Sequence, residues 1–145
     1  GDFIPVEELT EAEQDLHRHF AIFNPFKDWG ALYKSTSEVT TSKIGDEVVY
    51  VIEQTRKSGI KIVDFYSAKS FLLLKRQTHA KRRPDWPIEV ETEVFDDYRK
   101  VEGLMIQHRR TEDDYSGKTV YVVEKVEVNA DIPDDVYQMP TWAGY

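Results

Sequence analysis

The sequence contains no cysteine, which excludes disulfide stapling, thiolate catalysis and cysteine-ligated zinc by inventory. It has no apolar run near the roughly 20 residues that a membrane-crossing helix needs, and no stretch of signal-peptide form. Glycine-rich phosphate loops are missing too: Ser58-Gly59 and Ser116-Gly117 are isolated dipeptides and read as turns. No internal repeat and no low-complexity tract occurs. Positive charge is in deficit, with 19 Lys and Arg against 27 Asp and Glu and a formal net charge of -8. Such a chain repels a phosphate backbone at long range, so nucleic acid is not an expected partner. The basic group Lys75, Arg76, Lys81, Arg82 and Arg83 is a local exception. It reads first as a merely soluble loop, and second as a surface that orients toward an acidic partner or anionic headgroups, giving at most peripheral membrane contact.

Catalytic and metal-binding patterns are equally thin. His17 and His19 are two residues apart and do not share a helix face, so they cannot form the i, i+4 pair of a zinc helix. His79 and His108 would have to meet a carboxylate in a cleft before an enzymatic reading had a base. The carboxylates fall in runs, Asp96-Asp97, Glu112-Asp113-Asp114 and Asp131 with Asp134-Asp135, without calcium-loop spacing. They read as solvated turns. No catalytic residue, metal ligand or cofactor is expected.

What is present describes a folded domain. The 145 residues, 40% hydrophobic and 32% charged, suit one globular domain with a sizeable core. Thr10 and Glu13 form a capping box within a short helix expected between Pro5 and Phe20. An aromatic-rich connection runs from Phe20 to Trp29, and from about Ser35 the pattern changes to strands and turns. Val48–Ile52 and Ile60–Tyr66 flank Ser58-Gly59 as a hairpin, and Phe71–Gln77 continues the meander. Val90, Thr92 and Val94 alternate with Glu89, Glu91 and Glu93, which predicts glutamates facing water. Leu104–Thr111 returns after a turn at Lys100–Gly103, and Lys118–Asn129 is expected as the longest strand. The tail after it, with Pro133 and Pro140, is expected to be pinned by Tyr137 and Met139.

Val48–Ile52, Phe71–Leu74 and Val120–Val123 are apolar on both parities. A sheet with one wet face should alternate, so both faces of these strands are expected to be covered. Either an ordinary two-layer core or an enclosed apolar cavity satisfies that requirement.

Three segments in order carry a family resemblance: Asn24–Trp29, Thr92–Gly103 and Val126–Pro140. Together they resemble the carboxy-terminal portion of bacterial outer-membrane lipoprotein-sorting protein relatives, over about residues 24–140. The resemblance implies the LolA/LppX-like fold: mainly β with a short amino-terminal helix, its curved antiparallel meander packed against helix as a half-barrel. It implies a single domain over residues 1–145, amino-terminally shortened, in the periplasm or cell envelope. The sequence departs from those relatives at Gln107, where they commonly carry proline.

On this reading the chain is a non-enzymatic protein that binds or shields a lipid, a lipoprotein acyl chain or another apolar ligand. Val49, Val51, Ile62, Leu72, Leu74, Val120 and Val122 are candidate cavity walls, with Trp29 and Trp86 as cover or rim. The alternative is an interaction or scaffold domain, filled by its own side chains, whose partner is an envelope protein.

Overall fold

The computed structural model describes Gln14 and residues 29–81, 85–128 and 130–131. A four-residue helix, α1 (Trp29–Leu32), leads into eight strands: β1 (Tyr33–Thr36), β2 (Thr40–Ile44), β3 (Glu47–Arg56), β4 (Lys61–Ser67), β5 (Leu73–Ala80), β6 (Glu89–Val101), β7 (Leu104–Asp114) and β8 (Gly117–Val122). From β3 to β8 each strand pairs antiparallel with the next, and β1 and β2 share the other side of β3. Turn chemistry explains the meander. Gly45 at φ 59 opens the tight turn between β2 and β3, where an L side chain would be strained. Glu102 (φ 46) and Gly103 (φ 88) form the two-residue turn between β6 and β7, whose positive dihedrals match the twist of the flanking strands.

The sheet is open, and this corrects the expectation of a curved half-barrel. β8 does not pair with β1 or β2, and the sheet is neither closed nor strongly curled. Closure needs repeated bulges and a consistent shear, whereas the ladders shift register at two places only, between Tyr33 and Ser35 and between Phe65 and Tyr66. The terminal strand also differs from expectation. β8 ends at Val122, and the longest strand is β6, with 13 residues. Within the expected amino-terminal helix Gln14 is helical; the rest of that helix, the connection from Phe20 to Asp28, and the tail from Ile132 onward lie outside the described residues.

Directly opposed residues share a face, so register assigns the two surfaces of the sheet. One surface carries Gln54, Ile62, Asp64, Arg76, Thr78, Glu91, Glu93, Arg110 and Glu112; the other carries Val51, Val63, Phe65, Lys75, Val90, Val94, Thr111, Val120 and Val122. A small apolar core sits at one end of the first surface, where Tyr33, Ile60 and Ile62 pack with Leu32 and Ala80.

The β6 glutamates reverse their expected placement. Glu93 is buried and Glu89 and Glu91 are half-buried, whereas Val90 and Val94 are exposed. The physical reason lies on neighbouring strands, which supply Arg76 and Arg110 to the glutamate side. Alternation along one strand identifies two faces but does not say which of them is covered.

Candidate functional site

The residues expected to line a cavity are divided between the two surfaces. Val49 and Ile62 are both fully buried but point to opposite faces. Val51 is half-buried on the side of Val49, and Leu74, also half-buried, has the parity of Arg76 on the other side. Leu72 is half-buried just before β5, and Trp86 is exposed in the connection to β6. Val120 and Val122 are 54% and 63% exposed on the terminal strand. Trp29 begins α1. Among the described residues, the other candidates are thus split between two faces and do not surround one volume. Val51, Val120 and Val122 share one face, covered around Val49 and Val51 on β3 and open at β8, and Ile62 lies behind the sheet. Apolar residues on both parities of Val120–Val123 reflect an edge strand whose six residues are all exposed.

The covered surface holds an ionic row that crosses four strands. Asp64 on β4 opposes Arg76 on β5, Arg76 opposes Glu93 on β6, and Glu93 opposes Glu112 on β7. Arg76 donates from Nε to Asp64 Oδ1 at 2.7 Å and from its terminal nitrogen to Oδ2 at 2.9 Å, a bidentate pair. Arg110 bridges onward, 3.2 Å from Glu93 and 3.5 Å from Glu112. Burial disfavours the charge on Arg76, yet the Asp64 pair more than offsets this and holds the guanidinium cationic. Burial pushes the Glu93 carboxyl above its ordinary range, with Arg76 and Arg110 opposing the shift. Burial, aided by Asp64, likewise raises the Tyr66 phenol, which donates to Asp64 Oδ2 at 3.2 Å. Every charge in the row has a partner of the opposite sign, so its chemistry is self-contained.

These side chains went unnoticed in the sequence because each looks like an isolated polar residue in its own strand. A usable signal was present at Asp64, a lone carboxylate between Ile62-Val63 and Phe65-Tyr66. A charge in such a setting needs a buried partner.

The histidines are not brought together. His79 opposes Val90 and lies on the valine side, whereas His108 has the parity of Arg110 on the ionic side. His108 is buried and its Nδ1 donates to the Ile106 carbonyl at 3.0 Å. Among the described residues no group of three or more His, Asp and Glu could hold a metal ion. A cavity of about 20 Å³ lies between Thr78, Ala80, Glu89, Val90, Glu91 and Asp114, which is room for about one water.

The open surface has the opposite character. A lateral row runs Val51, Phe65, Lys75, Val94, Thr111, Val120 across β3 to β8. The Lys75 ammonium sits 5.0 Å over the Phe65 ring, so its stem lies along apolar surface. Val90 and Val122 extend the patch on either side of this row. No protein-family model, no curated protein and no solved structure matches the chain.

Proposed function

We propose that this chain is a non-enzymatic interaction domain that uses the valine face of its sheet to bind an apolar surface of a protein partner. One observation carries the reading: Val90, Val94, Val120 and Val122 share that face at 39 to 63% exposure. Exposed apolar side chains that share a sheet face favour a contact that removes them from water, at about 25 cal/mol per Å². The opposite face is occupied by its own ion pairs and a small core; the valine face carries the Asp96–Arg109 pair beside Val122 and keeps exposed apolar area on β6 and β8. Thr111 and Lys75 within the row supply polar points that orient a partner.

A second reading keeps the apolar contact and changes its chemistry to an acyl chain or lipoprotein lipid in the bacterial envelope. The resemblance to lipoprotein-sorting relatives supports it, as does Lys75, whose apolar stem and cationic head suit a chain with an anionic headgroup. The experiment separates the two. A photoactivatable side chain at Val90, on the same face and away from the β8 edge, in the full chain irradiated in its native cells, is expected to give one protein adduct that Val94→Glu abolishes. Adducts to lipid alone replace the first reading with the second, and the absence of any adduct removes both.

A further inference from the structure

β8 ends the sheet, and among the described residues no strand lies beyond it. Its inner pairing fixes which backbone groups turn outward. The Val123 amide donates to the His108 carbonyl at 2.8 Å, and inward-paired and outward-turned residues alternate along an antiparallel strand. Gly117, Thr119 and Tyr121 therefore direct N–H and C=O toward β7, as Val123 does its N–H, whereas Lys118, Val120 and Val122 direct theirs away; continuing the alternation past the end of β8 turns Glu124 outward as well. The strand is short of edge protection: it has no proline or inward charge, and its one lysine is Lys118.

We propose that this edge pairs with β8 of a second copy of the chain, antiparallel about a two-fold axis through Tyr121. Only outward-turned residues can exchange hydrogen bonds, so the register must set even-numbered residues against even-numbered ones. Centring the axis at Tyr121 sets Val120 against Val122 of the second copy and Lys118 against Glu124, each twice by symmetry. Centring it at Val120 instead puts Lys118 against Val122, and centring it at Val122 puts Glu124 against Val120. The Tyr121 register alone among these three matches opposite charges and valine with valine. It also keeps Val120 and Val122 of both copies on one face, so the valine row continues from one sheet into the next. This pairing uses the backbone edge and is independent of what covers the valine face.

Sedimentation velocity of the full chain over a concentration series is expected to show a reversible dimer. Val122→Pro removes an outward N–H and spares the β7 ladder, and is expected to weaken the dimer by on the order of tenfold or more. Lys118→Glu and Glu124→Lys each place like charges opposite and weaken it when alone, whereas their equimolar mixture restores it. Tyr121→Cys introduces the chain's one thiol at a non-hydrogen-bonded pair, with Cα atoms about 4.5 Å apart, and is expected to give a disulfide-linked dimer on mild oxidation. Circular dichroism matching the parent chain qualifies each variant. A parent chain that stays monomeric at every concentration, a dimer insensitive to Val122→Pro, or a charge-swapped mixture that fails to recombine would overturn the proposal.

Discussion

Asp64 shows how much one side chain can fix. Its carboxylate holds Arg76 through two short hydrogen bonds and also accepts from Tyr66. Removing one member of a covered ion pair strands the other, which costs about 3–5 kcal/mol when both are fully buried. Arg76 keeps 20% of its side chain exposed, so Asp64→Asn is expected to cost about 3 kcal/mol, read as a lowered urea midpoint. Glu93 behaves in the opposite sense. Its carboxyl is raised in the folded chain by burial. It therefore contributes fully below the unfolded-state value, near pH 4.3, and stability falls as pH climbs from there through the folded value. Glu93→Gln retains an acceptor for Arg110 and abolishes that titration. The variant is expected to match or exceed the parent in chemical denaturation at pH 7 relative to its standing at pH 4. A gap that widens toward acid would refute the assignment.

At the scale of single elements, hairpins were the most legible part of the sequence. Gly45, Gly59, Gly103 and Gly117 all adopt positive φ at reversals, and such residues mark turns without help from the rest of the fold. The β3–β4 and β6–β7 hairpins follow from them directly. The turn at Glu102-Gly103 is improvable, because glutamate at φ 46 occupies a position that asparagine favours in this turn type. Glu102→Asn is expected to add about 0.5 kcal/mol of stability, measured as a rise in thermal midpoint. β1 and β2 were harder to read. Lys34, Ser35 and Thr36 lack an apolar period, as do Thr40 to Lys43, and they pair because β3 is long enough to hold both. Strand existence there is decided by the partner and not by the segment.

Across the whole molecule, the sequence disclosed two-facedness and concealed its direction. Val90 and Val94 alternate with Glu91 and Glu93, which is enough to place them on opposite sides. The side that is covered depends on Arg76 and Arg110, residues 14 and more positions away in the chain, whose alignment exists only after β5, β6 and β7 have paired. Likewise, Val120–Val123 looks like buried strand because composition does not distinguish an interior position from an edge. Exchange rates should record the difference. Backbone amides of β4 and β5, flanked on both sides by paired strands, are expected to exchange slowest. Those of Lys118, Val120 and Val122 are expected to exchange fastest within the sheet in dilute protein, as followed by deuterium uptake. Slow exchange at these three positions in a monomer would contradict an open edge.

The ionic row has a consequence for how the chain finds its fold. Sliding β5 by one position along β4 would turn Arg76 to the valine side, and sliding it by two would set Arg76 against Ile62 or Tyr66 in place of Asp64. Either misalignment leaves a carboxylate and a guanidinium without each other in a place that water reaches poorly. Matched charges on adjacent strands thus act as a key for correct threading, rejecting near-miss pairings that valines alone would tolerate.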